Sequence, residues 1–312
     1  MADDTDGVYD LIAGRLSSGK VIPLLGAGAN LGERPPEAGY QRGRYLPSGR
    51  ELAEELARSV SYPKADVLDL ARVSQYVTAL LGESALYDEL RDVFDVDYPP
   101  TMLHYFLARL ARHTRQAAAA RECMLIVTVN YDDLLERAFR DVGEPYDLVT
   151  YIGSGTDRGL FRHIPFDGEP SVIRLPNEYS DLPLSRRTVI AKIHGAVDRS
   201  NSVDSFVITE DDYVDYITRA DIAHLFPVTI AGKITKSHFL FLGYGLRDWN
   251  FRVMLYRLQT AGTKRKSWAI ESNPNPVDRL TWDVRGVDIV PDRVEDFVAK
   301  MEQRLPLLEV LP

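Results

Sequence analysis

The stretch 21–25, followed at once by Gly26-Ala27-Gly28, constrains the fold of this 312-residue chain more than any other feature. A short run without polar side chains is typical of a strand that is buried on both faces. Glycines after such a strand let the backbone turn sharply and approach a ligand, which is how α/β proteins hold a pyrophosphate at a helix N-terminus. With Gly32, the glycines follow G-x-G-x-x-x-G, one residue longer than the dehydrogenase fingerprint. The stretch predicts a strand and a glycine turn, but the spacing alone does not identify a ligand.

Three further apolar runs end in the same way, with glycine or polar residues directly after the strand. They are 125–129 with Asn130-Tyr131-Asp132, 188–193 with His194-Gly195, and 238–242 with Gly243-Tyr244-Gly245. The carboxyl ends of parallel strands meet at one edge of an open α/β sheet, where ligands bind, so we expect the four clusters to converge. Residues 266–270 and 287–290 predict later strands of the same sheet.

Helical patterns lie between the predicted strands. Ser48 and Glu51 have the spacing of a capping box that starts a helix through residue 60, where a dehydrogenase would have its second strand and ribose-binding acid. Residues 66–94 and 101–112 are apolar at helical spacing. We therefore expect an α/β fold: a doubly wound, mostly parallel Rossmann-like sheet with a helical insertion.

The whole chain, 1–312, is predicted to form a single domain. Its core occupies about 18–60, 121–150 and 188–292, and the helical insertion occupies about 62–120. An irregular insertion is expected at about 151–187, which is rich in glycine, proline and polar residues and has little periodicity. The stretch 14–20 has the spacing of a P-loop, but it precedes a strand and Val21 replaces the magnesium-binding hydroxyl, so we expect no nucleotide triphosphate there.

Composition narrows the class of protein. With 45% apolar and 27% charged residues, the chain has the balance of an ordinary globular protein. A net charge of -9, without a Lys/Arg stripe, argues against direct nucleic-acid binding. The single cysteine, Cys123, excludes a disulfide framework and a cysteine-rich zinc site. The sequence shows neither a leader pattern nor an apolar run that could cross a bilayer, so we expect a cytoplasmic protein with no membrane partner.

The order of the motifs resembles that of the sirtuins, which bind NAD and break its nicotinamide–ribose bond. The motifs GAG, NxD, HG and a glycine pair after a buried strand follow the sirtuin order over roughly residues 20–290. The stretch 243–252, G-Y-G-L-R-D-W-N-F-R, is similar to the divergent sirtuin-like NAD-hydrolase domains of bacterial anti-phage defence systems. Two features depart from protein-deacylating sirtuins: one cysteine cannot form their zinc ribbon, and Asn30 stands where they usually have Ser.

The resemblance implies a role for each motif. Asn130 and His194 would be catalytic, with the Asn130 amide holding the ribose hydroxyls and the attacking water. His194 would be the general base, since a near-neutral pKa suits that task. Asp248 and Asn250 would either reach the adenine ribose or cap the next helix. The residues implied to contact the dinucleotide are Gly26, Ala27, Gly28, Asn30, Asp132, Gly243, Tyr244, Gly245 and Asp248.

The implied function is hydrolysis of NAD to nicotinamide and ADP-ribose, with NAD as the substrate and no metal, depleting NAD in anti-phage defence by abortive infection. Such an enzyme needs a gate, and the resemblance suggests a homo-oligomer or a separately encoded sensor or ATPase partner. Two alternatives stay open. One is a zinc-free protein deacylase or ADP-ribosyltransferase, and the other is a module that senses NAD or ADP-ribose without turnover.

Overall fold

A nine-stranded sheet forms the centre of the fold, and most of its strands are the apolar runs of the sequence. The computed structural model describes residues 2–117, 122–199, 204–218, 226–245 and 265–305. The strands in this part of the chain are β1 Val21–Leu25, β2 Leu125–Thr128, β3 Tyr146–Tyr151, β4 Phe161–Ile164, β5 Ser171–Ile173, β6 Thr188–Lys192, β7 Gly195–Ala196, β8 Ser205–Phe206, β9 His238–Leu242, β10 Ser267–Ile270 and β11 Val287–Val290.

The helices pack around this sheet, and three of them lie in the predicted insertion at about 62–120. Within the same described ranges they are α1 Ala2–Ser17, α2 Gly49–Ser59, α3 Leu70–Leu81, α4 Glu83–Phe94, α5 Met102–Gln116, α6 Leu134–Val142, α7 Glu210–Thr218, α8 Val228–Lys236, α9 Pro276–Asp283 and α10 Val294–Arg304. A short 3-10 helix, Ala27–Leu31, follows β1 directly. None of the helices that the structure describes is long and apolar enough to cross a membrane.

The sheet has the strand order β11-β10-β9-β1-β2-β6-β3-β4-β5. The seven strands from β11 to β3 are parallel, and β4 and β5 continue the sheet in antiparallel pairing. The chain moves outward from β1 in both directions, to β2 on one side and to β9 on the other. This confirms the predicted doubly wound, mostly parallel sheet and places its topological switch point beside β1.

Both faces of the sheet are buried, which explains why the central strands are apolar without alternation. Ile22 and Leu24 belong to the apolar cluster on one face, whereas Val21 and Leu25 belong to the cluster on the other. Full burial of each such side chain stabilises the fold by about 1.5–3 kcal/mol. The central strands are therefore fixed in register by packing on two sides.

Helix α2 and the first two helices of the insertion, α3 and α4, form a third apolar cluster that meets the sheet at its carboxyl edge. Leu52 and Leu56 of α2 and Phe94 of α4 pack in this cluster together with Tyr131, which follows β2. The predicted capping box starts α2: the Ser48 hydroxyl accepts from the Glu51 amide, and the Ser48 amide donates to the Glu51 carboxylate. These helices thus cover the carboxyl ends of the central strands with apolar side chains.

The segment 151–187 is less irregular than the sequence predicts. It contributes β4 and β5, which pair antiparallel with β3 and with each other at the sheet edge. These strands are three or four residues long; β4 alternates between buried and half-buried residues, and β5 is buried only at its last residue. Short edge strands surrounded by turn residues have a weak hydrophobic period, which is why the prediction missed them.

Candidate functional site

A cavity of about 610 Å³ lies at the carboxyl edge of the sheet. Its floor is formed by residues that directly follow six parallel strands, namely β1, β2, β6, β9, β10 and β11. Leu52 of α2, together with Leu70 and Phe94 of the helical insertion, supplies apolar wall residues. The convergence expected from the strand ends is therefore present in the structure.

Every predicted site residue that falls within the described part of the chain lines this cavity. These residues are Gly26, Ala27, Gly28, Asn30, Asn130, Asp132, His194, Gly243, Tyr244 and Gly245. Asp248 and Asn250 lie outside the described residues. The structure thus brings together groups from four strands that are more than 200 residues apart in sequence at the extremes.

The glycine turns after β1 and β9 pack directly against each other. The Gly28 amide donates to the carbonyl oxygen of Gly243 at 2.8 Å. A Cβ atom on Gly28 would lie 2.7 Å from that oxygen, and one on Gly243 would lie 2.0 Å from the Ala29 nitrogen. Gly243 also has a φ of +63°, which disfavours other residues. These glycines are therefore required by loop-to-loop contact at the switch point, whatever ligand the loops hold.

A hydrogen-bond network joins the turn after β2 to the glycine turn after β1. Asn130 donates through Nδ2 to the carbonyl oxygen of Gly26 at 3.0 Å. Asn30 donates through Nδ2 to Asp132 Oδ2 at 2.6 Å, and Asp132 Oδ1 accepts from the Leu134 amide at 3.1 Å. The network fixes the orientation of both Asn130 and Asp132 at the cavity surface.

His194 is held between two aromatic rings. Its imidazole makes edge contacts with Tyr213 and Tyr216 of α7, each with ring centroids 5.5 Å apart. Its backbone carbonyl accepts from the Val207 amide at 2.9 Å, which ties the strand end to the segment after β8. His194 is therefore placed by main-chain pairing and ring packing together.

Burial lowers the pKa of His194 to about 4. The near-neutral pKa expected from the sequence is not what this structure gives, because apolar and aromatic surroundings disfavour the charged imidazolium. At physiological pH the ring is neutral, so a nitrogen lone pair is able to accept a proton or a hydrogen bond.

His104, which the sequence does not assign to the site, contacts the glycine turn after β1 indirectly, through Thr101. It is fully buried, and its Nδ1 accepts from the Thr101 amide at 3.1 Å. The Thr101 hydroxyl in turn donates to the carbonyl oxygen of Ala29 at 3.2 Å. Burial lowers the pKa of His104 to about 4 as well, so the His104 ring is also neutral at physiological pH.

Sequence reasoning missed one end of the cavity. Glu271 and Ser272 follow β10, and Asp292 to Glu295 follow β11 and begin α10; all of them line the cavity. Both groups are mostly polar and come within two residues of a strand end, which is close to the signal that identified the other four clusters. Applying that rule to the last two strands would have found them. Among the described residues, no group of three or more His, Cys, Asp or Glu side chains is arranged to hold a metal ion.

Comparisons with known proteins point to one family. The family model described as "SIR2-like domain" matches residues 124–290. Defense-associated sirtuin 2 of Bacillus subtilis is 24% identical over 85% of this chain and 22% of its own length. The NAD(+) hydrolase ThsA of Acinetobacter baumannii (strain 532279) is 27% identical over 81% of this chain and 42% of its own length. The chain thus spans less than half the length of these relatives.

A solved structure described as "Structural Basis for the Mechanism and Regulation of Sir2 Enzymes" also aligns with the chain. It covers 95% of this chain and 96% of the solved one, at 15% sequence identity and a TM-score of 0.44.

Proposed function

The chain belongs to the SIR2-like domain family, and from this we propose that it is an NAD+ hydrolase that releases nicotinamide and ADP-ribose. One observation carries the proposal: Asn130, His194 and the two glycine turns line a single cavity. The relatives that are named NAD(+) hydrolase support the same reaction.

The dimensions of the cavity suit a dinucleotide that lies along the strand ends. Neighbouring strands are about 4.8 Å apart, so the edge from β6 to β10 spans four spacings, or about 19 Å. The volume of about 610 Å³ falls within the range of small-molecule sites. We place the pyrophosphate over Gly26 to Gly28 at the switch point, the nicotinamide ribose towards Asn130 and His194, and the adenosine half towards Gly243 and Gly245.

The reaction needs little acid catalysis, because the leaving group is already a cationic pyridinium. The C1′–N bond breaks with its electron pair moving to the ring nitrogen, which yields neutral nicotinamide. The transition state is an oxocarbenium-like sugar, and the oxygen of one water forms the new bond to C1′. In our proposal the Asn130 amide orients the ribose and this water, while neutral His194 accepts the proton of the water.

The remaining groups act on binding and orientation. The Asp132 carboxylate, which is held by Asn30 and the Leu134 amide, would accept a hydrogen bond from the carboxamide N–H of nicotinamide. Leu52, Leu70 and Phe94 would cover the bound substrate and reduce the access of bulk water. The proposed mechanism uses no metal.

The experiment that tests the function measures nicotinamide release by the purified protein with NAD, with and without an acyl-peptide. Release without peptide supports the hydrolase. Release only with peptide would replace it by a deacylase or ADP-ribosyltransferase, and binding without release would replace it by a sensing module.

We further propose that the enzyme depletes cytoplasmic NAD during phage infection and that its activity is gated. An unrestrained NAD hydrolase would exhaust its own cell, so the enzyme must be inactive until it is switched on, either by self-assembly or by a separately encoded sensor or ATPase. The name of the Bacillus subtilis relative, Defense-associated sirtuin 2, supports the defence role. Light scattering and specific activity over a concentration series would test self-assembly: activity per protomer should rise where oligomers form.

A further inference from the structure

Strand β6 ends in a lysine that has almost no contact with solvent. The side chain of Lys192 is 1% exposed, although lysine is rarely buried fully. Its ammonium donates to Glu136 Oε1 of α6 at 2.8 Å and to the backbone carbonyl oxygen of Asp132. Lys192 therefore connects three elements: the strand that leads to His194, the turn that carries Asn130, and helix α6.

Stability alone is a poor explanation for this ion pair. Removing an ammonium and a carboxylate from water is costly, and replacing a buried ion pair by apolar side chains of similar volume is often neutral or stabilising. Glu136 is itself buried, and burial raises the pKa of its carboxyl group. The Lys192–Glu136 pair is costly to bury and lies beside Asp132 and His194. Its presence is more simply explained by a role in positioning these site residues.

The contact with the Asp132 carbonyl completes the fixation of that turn. The Asp132 side chain is held by the Asn30 amide and the Leu134 backbone amide, and Lys192 holds the backbone oxygen of the same residue. Asn130 precedes this anchor by two residues, and His194 follows Lys192 by two residues. At the point where the paired part of β2 and β6 ends, with Thr128 opposite Lys192, the ammonium thus bridges the strand end that leads to His194 and the turn that carries Asn130.

We propose that Lys192, held by Glu136, is a positioning residue that keeps the Asn130–Asp132 turn and the His194 strand end in their reactive arrangement. The proposal rests on the proposed NAD hydrolysis for its consequence in catalysis. Neither Lys192 nor Glu136 lines the cavity that we assign to NAD.

The test compares Lys192→Met with the double variant Lys192→Met/Glu136→Met in the full chain. The single variant leaves an uncompensated buried carboxylate, so we expect a lower unfolding midpoint and lower activity. The double variant removes both charges, and its unfolding midpoint should return to within a few degrees of the wild type. Its kcat for nicotinamide release should nevertheless stay at least about tenfold below the wild type, because a small displacement of a reacting group suffices for such a loss.

The opposite end of the sheet offers a control, a buried lysine whose carboxylate partner is half exposed. Lys233 is also buried, and its ammonium donates to Glu122 Oε2 and to the carbonyl oxygen of Gly19, each at 2.9 Å. Gly19 precedes β1, so this lysine lies at the amino end of the strand and not at the cavity. Lys233→Met should lower the unfolding midpoint and leave kcat within about twofold.

Hydrogen–deuterium exchange gives a readout that does not need activity. In the double variant the amides of residues 130–134 should exchange at least about tenfold faster, whereas Lys233→Met should leave them unchanged. If the wild type released no nicotinamide, the proposed function would fail while the exchange result would still decide the positioning. Recovery of wild-type kcat together with stability, or unchanged exchange in 130–134, would overturn the role of Lys192.

Discussion

The side-chain amide of Asn130 donates to the carbonyl oxygen of Gly26 at 3.0 Å, which joins the ends of β2 and β1. The same Nδ2 atom lies 3.5 Å from Asn30 Oδ1. A primary amide offers two donor hydrogens and an acceptor oxygen. The nitrogen of the Asn130 amide therefore joins the turns after β1 and β2. The Oδ1 atom of Asn130 takes part in neither of these two contacts.

We expect Asn130→Asp to reduce the rate of nicotinamide release by about 10²-fold or more. The carboxylate has nearly the same shape but no donor hydrogen, so it repels the Gly26 carbonyl and no longer orients the substrate and water. Steady-state release of nicotinamide from NAD measures the effect.

Asn275→Asp is the control for the same chemical change. Asn275 caps α9 by accepting from the Asp278 amide, and Asp is an equally good helix cap. Its activity should stay within about twofold of the wild type. If Asn130→Asp also kept activity within threefold, the role assigned to the amide would be wrong.

The parts of the fold that the sequence predicts are those decided by local pattern. The apolar runs at β1 and β9 are unambiguous because both of their faces are buried, and the capping box depends only on the three-residue separation of Ser48 and Glu51. The rule that polar residues after parallel strands converge is enough to predict that Asn130 and His194 line one cavity.

The remainder depends on neighbours that are distant in sequence. The contact of Gly28 with Gly243 joins residues that no local pattern relates. The lowered pKa of His194 arises from burial beside Tyr213 and Tyr216, and the sequence gives no indication of that packing. The pairing of Lys192 with Glu136 also requires the strand order and the position of α6, since a lysine at a strand end ordinarily indicates solvent exposure.

Replacing His194 by Ala should lower kcat by about 10²–10⁴-fold, the usual contribution of a general base. The wild-type enzyme should keep its kcat/KM down to a pH well below 6.5, with the acidic limb near pH 4. A base acts only when it is unprotonated, and the lowered pKa of His194 keeps it unprotonated over that range. A pH–rate profile for the free enzyme measures this limb.

His163→Gln is the matched control, because His163 is also buried but bonds to Asp147 and Tyr179 at the antiparallel edge of the sheet. It should change stability without changing the pH profile. An acidic limb near pH 6.5 in the wild type would show that the pKa of His194 is not lowered and would contradict the burial argument.

Gly243→Ala and Gly245→Ala should separate packing from substrate contact. At Gly243 the added methyl meets the Ala29 backbone at a positive φ, so we expect a loss of about 3 kcal/mol or more in the free energy of unfolding. At Gly245 the structure has open space for a Cβ, so the loss should stay within about 0.5 kcal/mol.

Gly245→Ala also tests where the adenosine half of NAD binds. If the substrate passes close to the backbone at Gly245, as we propose, Gly245→Ala should raise the KM for NAD several-fold in a normally folded protein. Chemical denaturation and steady-state kinetics give the two quantities. An unchanged KM would move the adenosine half away from this turn.

Glu51→Gln should loosen the loop that precedes α2, since Glu51 holds this loop through Arg34, Tyr40 and Ser48 and its last residues, Pro47 and Ser48, line the cavity. The Glu51 carboxylate accepts from Arg34 and also from the Tyr40 and Ser48 amides, and the Arg34 hydrogen bond is the main reason that the pKa of Glu51 falls to about 2. Loss of these charge-assisted bonds should cost about 2 kcal/mol of unfolding free energy at pH 7.

The pH dependence of this difference follows from the sign of the shift. A carboxyl group with a lowered pKa stabilises the fold fully above its unfolded value near 4.5 and loses that contribution as the pH falls through about 2. Urea titrations of wild type and Glu51→Gln should therefore differ most at pH 7 and converge towards pH 2. Glu55→Gln, which removes a carboxylate from the exposed pair with Arg58 on the same helix, should change stability by less than about 0.5 kcal/mol.

Stability should also fall between pH 7 and pH 5, because His104 and His194 are both buried in neutral form. The unfolded chain protonates these rings near pH 6.5, whereas in the folded protein the pKa of each is about 4, so the unfolded state binds more protons between those values. Each histidine should cost about 2 kcal/mol of unfolding free energy over this interval. Urea unfolding of the wild type and of His194→Asn at both pH values measures the effect, and the pH-dependent loss should be smaller in the variant by about that amount. An equal loss in both proteins would mean that His194 is charged or exposed in the folded state, which would contradict its burial as a neutral ring at the cavity.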